Sequence, residues 1–428
     1  MEDLEVIYRE LKEGKIRPYK LEGIILEKIF NNKKGELVEA NKISAEIRLR
    51  LLKEKYAKEL PNIQKGFVSI VDSGKGTTGI ENQIGGSIVP LGIGGPLKIL
   101  GEHAIGEFYL PVATNEAALV AGLSRGCSVF NQAGGIRAVV TKDQMTRAPL
   151  VELPDSKKAK ILVQEINKKS GLYEKLKKAA EKESKVSKLL DIQPFQLGRR
   201  VHLRFCFQTG DAMGMNSVTK YSANAIKALR EENPEIKLIT LTANMCTDKK
   251  ASHTNILLGR GKSVETECLI PGKIIKEAFK VEPEEMVRLA QLKLYQGTAL
   301  AGSFSGFNAN VANTIAAMFI STGQDAAQIV ESSSAFVNLE MIGKDLLFSA
   351  SFPCLEVGTV GGGTGFGTAK ECLEILGCAG PGKNPGDNAR KLAEIIACAA
   401  SAQDLNLIGA QANDYELAES HIKLARGK

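Results

Sequence analysis

The segment CTDKK at 246–250 places two adjacent lysines after a carboxylate, directly beyond the apolar run IKLITLT. At a strand end, twin lysines are either simply solvated or held in a cleft. In a cleft, one can stabilise a developing oxyanion while its neighbour binds a substrate carboxylate. Glu116 in ATNEAAL and Asp325 in GQDAAQI each lie near the start of an apolar helical pattern. Such carboxylates complement a helix dipole or, buried beside a lysine, acquire displaced pKa values suited to proton delivery. His421 falls on the apolar face of the final helical pattern, as a packing residue or as a mobile proton donor. Two glycine motifs invite a phosphate reading. GRGKS at 259–263 ends like a phosphate loop, but Ile256 stands where that loop needs glycine. VGGGTGFG at 360–367 can offer backbone N–H groups to an anion or cofactor, or merely form a turn.

The elements that must carry these residues follow from periodicity. Residues 1 to about 65 read as mixed-charge helices, broken at Gly35 and Pro61. Residues 66–101 are glycine-rich with few charges and imply tight turns or close backbone approaches. In VATNEAALVAGLSRG, Thr114 is placed to cap a buried helix. From about 148 to 243 a lysine-rich helix, the alternating strand VHLRFCF (201–207), the turn GDAMGMN, a helix over 217–231 and IKLITLT make a compact α+β unit. No GxGxxG motif occurs in it, so it is not a Rossmann unit by sequence. Beyond 268, long alanine-rich segments predict a helical core.

Composition narrows the function class. The chain has 428 residues, 43% hydrophobic and 25% charged, which suits a folded protein of two to four domains. No stretch approaches the ~18 apolar residues of a membrane helix, and the charged start is unlike a signal peptide, so a cytoplasmic protein with no membrane contact is expected. Eight cysteines without a CxxC pair and four histidines argue for reduced thiols and against a zinc site. The net charge of +7 is concentrated in residues 155–188, with eleven lysines against five acids. That stretch reads as a solvated amphipathic helix or as a surface for a small polyanion. Nucleic acid is not expected, since aromatics are 5%, tryptophan is absent and no binding motif occurs.

Taken together, ENQIG (81–85), ATNEAALVAG (113–122), DAMGMN (211–216), CTDKK (246–250), GQDAAQ (323–328), TVGGGT (359–364) and NPGDNAR (384–390) closely resemble 3-hydroxy-3-methylglutaryl-CoA (HMG-CoA) reductase, over about residue 17 to the end. The resemblance is to the biosynthetic class I form in its soluble, archaeal or microbial version. It implies reduction of HMG-CoA to mevalonate, with two NADPH molecules successively delivering hydride through hemithioacetal and mevaldehyde intermediates. By motif matching, Lys249 would stabilise the carbonyl oxyanion and His421 would protonate the coenzyme A sulfur. Glu116 would supply the proton for aldehyde reduction, and Asp325 would link Lys249 to Glu116.

The same matching assigns Arg147, Asp248, Lys250 and Lys293 to the hydroxymethylglutaryl group. Thr242 replaces the family's usual serine there. Tyr19 and Arg125 resemble contacts to coenzyme A. Asp211, Met213, Gly214, Met215 and Asn216, with Val360 and Gly361, would approach NADPH. Ser184 and Lys185 match a Ser-Arg pair that reads the 2′-phosphate, with lysine in place of arginine. Asn310 stands where several relatives have histidine. The implied fold is α+β: an N-terminal helical domain (1–80), a large helical HMG-CoA-binding domain (81–147 and 244–428), and an inserted small ferredoxin-like NADPH-binding domain (148–243). The implied assembly is a homodimer, or a higher even oligomer, whose shared sites bring CTDKK to Glu116 of the neighbour. An NADH-linked member running oxidatively and a catalytically silent acyl-CoA-binding protein are the competing readings.

Overall fold

Three apolar clusters organise the chain. The computed structural model describes residues 2–33, 36–57, 59–63, 65–66, 80–304, 306–413 and 415–422, with the side chains of Glu2, Tyr19, Leu417, Ser420 and His421 outside that description. The helices Glu2–Lys12, Leu21–Lys28 and Leu37–Tyr56 bury Ile7, Leu11, Leu21, Ile25, Ala40 and Ile47 between them. A strip of apolar residues on each amphipathic helix is removed from water only by packing on the others.

The strands are β1 (Leu91–Gly101), β2 (Ile105–Ala113), β3 (Ile136–Arg147), β4 (Leu150–Glu152), β5 (Lys188–Leu197), β6 (Arg200–Gln208), β7 (Lys237–Thr240), β8 (Gly261–Ile270), β9 (Gly306–Phe307), β10 (Ala335–Ile342) and β11 (Asp345–Leu355). They join in the order β7-β4-β6-β3-β8-β11-β10-β9, with β1 also on β3, β2 on β1, and β5 on β6. Strand β3 serves two neighbours in succession. Arg137–Gln144 pairs antiparallel with β8, and Met145–Arg147 then pairs antiparallel with β6.

Around β4, β5, β6 and β7 lies the second cluster, where helices Ser156–Asn167, Gly171–Glu181 and Met215–Glu232 cover Leu203, Phe205 and Phe207 with Leu162, Leu176 and Ile226. The lysine-rich stretch forms two helices here rather than one. The first is capped by Asp155, whose carboxylate accepts the Lys158 N–H at 2.8 Å. Lys158 and Lys175 reach outward to Glu235 and Glu232 at 3.1 and 2.5 Å.

The third and largest cluster centres on helix Asp387–Ala412, which is buried on almost every side. An alanine-rich surface lets neighbours approach closely. Across from it, Gly126 of helix Leu119–Gln132 lies so near that an added Cβ would sit 1.9 Å from the Ala402 carbonyl oxygen.

This large unit departs from the expected helical core. Its helices pack on β1, β3, β8, β10 and β11, and residues 335–355 form a hairpin turned at Gly343 (φ 64°). The alternation of Ala335, Val337 and Leu339, and of Leu346, Phe348, Ala350 and Phe352, has the period of two that a sheet with one core face requires. The region before Gly101 also holds strand β1, not turns alone. Thr114 does not cap a helix. Its hydroxyl accepts the Glu116 N–H at 3.0 Å within a turn, and the helix begins at Leu119 after Ala118, at φ 71°. Among the described residues no helix is long and apolar enough to cross a membrane. All eight cysteines are free and buried.

Candidate active site

The loop that follows β7 carries CTDKK in an unusual backbone. Asn244, Thr247 and Lys249 all take positive φ, at 61°, 50° and 58°. Left-handed residues other than glycine are held by their surroundings. The Lys249 N–H donates to Glu331 Oε1 at 2.6 Å, and its ammonium lies 2.9 Å from Asp325 Oδ2. That hydrogen bond, above all, raises the Lys249 pKa, with partial burial opposing it. Asp325 in turn starts a short 3₁₀ turn, its other oxygen accepting the Ala327 N–H at 3.0 Å. The carboxylate therefore holds two positions at once.

At the junction of β3 with this loop lies a second ion pair. Arg147 donates to Thr219 at 2.9 Å and to Thr242 at 3.1 Å, and approaches Asp248 at 3.9 Å. Asp248 accepts from Arg260 at 2.9 Å and from Gln328 at 3.0 Å. Burial pushes its pKa up, but Arg260, Gln328 and Arg147 outweigh burial and keep it below the ordinary value. Arg147, Thr242, Asp248 and Lys249 thus share one corner, and Lys250 folds back so that its ammonium donates to the Asp248 carbonyl at 3.1 Å.

Glu116 occupies a different place. Both its oxygens accept from Asn313, at 3.0 and 2.8 Å. Among the described residues no hydrogen bond or ion pair joins it to Lys249 or Asp325. It lines a cavity of about 190 Å³ with Arg125, Asn310, Asn313, Gln403, Asn406 and Glu416. Arg125 is ion-paired with Glu416, donates to the Ala278 carbonyl at 2.5 Å and lies over the Phe279 ring at 4.6 Å. Behind Asn310, Asp404 is wholly buried and accepts the N–H groups of Ala309 and Asn310 at 2.8 and 2.7 Å. Burial pushes its pKa to about 6, against those two donors and the charge of Lys293. Lys293 itself is exposed on the π-helix Ala290–Gly297.

The DAMGMN turn and the VGGGT loop are bound together. The Asp211 carbonyl accepts the Thr359 and Val360 N–H groups at 2.8 and 3.2 Å, and Ala212 bridges Val360 in parallel register. The Asp211 carboxylate takes three more backbone donors, from Gly382, Gly386 and Ala389, at 3.0–3.1 Å. It is committed to holding the NPGDNAR segment, a role its motif did not suggest. Gly214 (φ 93°) opens helix Met215–Glu232, Met213 packs on the second cluster, Met215 is buried with its sulfur 2.9 Å from Arg260, and Asn216 is exposed. A cavity of about 370 Å³ is lined by Val360, Gly361, Gly362, Thr364 and Lys370. A Cβ at Gly361 or Gly362 would meet no atom within 4 Å, so both offer bare backbone to an occupant. Elsewhere, the Ser184 hydroxyl accepts the Ser187 N–H at 2.7 Å beside exposed Lys185. Tyr19 lies in the turn Pro18–Lys20 and His421 ends helix Glu416–His421. Both their side chains lie outside the described residues.

A family model described as hydroxymethylglutaryl-coenzyme A reductase matches residues 44–426. The chain belongs to that family. It is 41% identical to the 3-hydroxy-3-methylglutaryl-coenzyme A reductase of Pyrococcus abyssi over 425 residues, covering 99% of this chain and 100% of that one. It is 39% identical to that of Methanocaldococcus jannaschii over 100% of both. Among solved structures it is similar to the class II enzyme of Streptococcus pneumoniae, described as bound to NADPH, with a TM-score of 0.63 and 19% identity, covering 90% of this chain and 99% of that chain. This last likeness is one of fold.

Several residues around the corner and around Glu116 are not marked by the sequence motifs. Arg260 stands inside GRGKS, whose likeness to a phosphate loop hides an arginine that pairs with Asp248, Glu331 and Glu356. Buried Glu331 and Glu356 stand in apolar surroundings, IVESSS and PCLEVG, where a lone acid is itself a signal of a paired charge. Asn313 lay in NANVAN beside the noted Asn310.

Proposed function

We propose that the protein reduces HMG-CoA to mevalonate and free coenzyme A, consuming two NADPH, in the mevalonate route to isoprenoids. The observation that carries this reading is the Lys249–Asp325 pair at 2.9 Å, adjoining the Arg147–Asp248 pair. It sets one protonated lysine where an oxyanion can form, next to an arginine and Lys250 that suit a substrate carboxylate. Full-length relatives bearing that enzyme's name support it. NADPH, when bound, supplies hydride for both reductions. Its fit is supported by the open backbone at Gly361 and Gly362, and Met213, Gly214, Asn216, Val360, Ser184 and Lys185 are the residues we assign to hold it.

In this mechanism Lys249 holds the carbonyl oxygen as negative charge develops, first at the thioester and then at the aldehyde. His421 gives a proton to the departing coenzyme A thiolate. Glu116 delivers the proton that completes the alcohol, and Asp325 keeps Lys249 charged and oriented. Arg125 then exchanges Glu416 for a phosphate of coenzyme A, with Tyr19 beside the adenine. Lys293, near Asp404, reaches the far end of the acyl group.

We also read the chain as class I and as three domains: 1–80, 81–147 with 244–428, and 148–243 as a ferredoxin-like insertion. The three apolar clusters support that division. Separation of Glu116 from Lys249 within one chain favours a homodimer in which each site takes CTDKK from one copy and Glu116 from the other. Eight free buried thiols suit the reducing cytoplasm. The reaction is tested by following NADPH oxidation and thiol release together. Two NADPH per thiol, with mevalonate formed, is the expected result, and binding of HMG-CoA without oxidation would refute it.

A further inference from the structure

We propose that Glu331 is the positioning residue for Lys249, fixing the left-handed backbone that aims the ammonium at Asp325. This rests on the reading of Lys249 as the oxyanion-stabilising cation.

Lys249 has φ 58°, a backbone conformation uncommon for residues other than glycine. The contact that holds it is its N–H, donated to Glu331 Oε1 at 2.6 Å. Glu331 is fully buried on the short helix Ile329–Ser332, which directly follows the turn that Asp325 begins, so backbone and side chain of Lys249 are gripped by one continuous segment.

The anchor is itself locked by Arg260, which has no exposed surface. Its guanidinium donates to Glu331 at 2.7 Å, to Gln328 at 3.1 Å, to Asp248 at 2.9 Å and to Glu356. The carboxyl groups of Asp248, Glu331 and Glu356 lie within 4.8 Å of one another. Arg260 already fills their centre, so the cluster is an ion-pair network and not a cation site. Three carboxylates around one buried guanidinium cannot all remain charged. Burial drives the Glu356 pKa far up and raises that of Glu331 as well, with Arg260 opposing both. Glu331 Oε2 and Glu356 Oε2 are both buried with no hydrogen-bond partner among the described residues, a need that one proton shared by the pair would meet. Glu331 Oε1 meanwhile accepts from both Arg260 and the Lys249 N–H.

The test separates reach from charge. Glu331→Asp keeps the charge for Arg260 but withdraws the oxygen by one methylene. Glu331→Gln loses the charge but keeps an acceptor at the same reach. Positioning predicts that Glu331→Asp lowers kcat by on the order of 10-fold or more, with the KM for HMG-CoA nearly unmoved, while Glu331→Gln retains most of the turnover. In Glu331→Asp the basic limb of the kcat–pH profile also moves to lower pH, as Lys249 leaves Asp325. The groups facing that ammonium are Asp325, Asp248 and Glu331. The opposite order, Gln worse than Asp, would make Glu331 a counter-charge only and overturn the proposal, as would equal turnover in both with an unmoved basic limb. NADPH binding by each variant reports a folded protein. Lys249→Ala, measured alongside, keeps the two readings apart. If it turns over normally, the role given to Lys249 fails. If it is inactive while Glu331→Asp is unaffected, only the positioning role fails.

Discussion

Replacing Asp325 by asparagine isolates the charge of the Lys249 pair. Asparagine keeps an oxygen able to cap Ala327, so the 3₁₀ turn should persist. The side chains of Lys249 and Asp325 are 44% and 36% exposed, and a pair that open to water contributes only ~0.2–1 kcal/mol to stability. Because the Lys249 pKa is raised in the folded state, that contribution is complete below the unfolded lysine pKa and is lost as pH rises through the raised value. At neutral pH the substitution should therefore lower the unfolding free energy by less than about 1 kcal/mol. Turnover should respond more strongly. A charge-assisted hydrogen bond exceeds a neutral one by about 1–1.5 kcal/mol, which is roughly a five- to tenfold loss in the fraction of lysine correctly oriented. We expect kcat at pH 7 to fall about five- to tenfold by this argument, with the basic limb of the kcat–pH profile displaced to lower pH. NADPH oxidation across pH 6 to 10, beside a denaturant titration, measures both quantities. A kcat within about twofold of the parent and an unmoved basic limb would refute the reasoning.

Three further outcomes are expected. Lys249→Ala should lower turnover by on the order of 10² to 10³, the cost of removing an oxyanion donor, as measured by NADPH oxidation with HMG-CoA. His421→Gln should impair thioester reduction and spare reduction of free mevaldehyde, because only the first releases a thiolate; equal losses on both substrates would mark His421 as a packing residue. Lys185→Ala should raise the KM for NADPH about tenfold and leave turnover with NADH unchanged, whereas a strong preference for NADH in the parent protein would contradict the cofactor assignment.

Much of the corner was readable because its chemistry is compressed into short motifs. CTDKK and GQDAAQ carry an ion pair that the structure closes at 2.9 Å. Arg147 and Asp248, far apart in sequence, meet because β3 ends beside the loop after β7. What periodicity missed has physical reasons. The hairpin β10–β11 lies in a stretch whose alanine and serine content resembles the helices around it, and only the alternation of Val337, Leu339, Phe348 and Phe352 betrays it. Thr114 has the chemistry of a cap, yet the turn closes on Glu116 and delays the helix to Leu119. Asp211 shows a motif's limit, since three backbone donors claim a carboxylate that motif matching assigned to a cofactor. Arg260, Glu331 and Glu356 are 71 to 96 residues apart at their longest pairings with the arginine, so only tertiary structure brings them together.

Strand β3 has a mechanical meaning. Its residues up to Gln144 are stitched to β8 and those from Met145 to β6, so one ribbon belongs to both halves of the sheet. The two halves cannot swing against each other without flexing the backbone at 144–145, two residues before Arg147. A hinge there has the arginine as its lever arm. Any swing of the half that carries DAMGMN would shift the grip of Arg147 on Thr242 and Asp248, tying the seating of one ligand to that of the other.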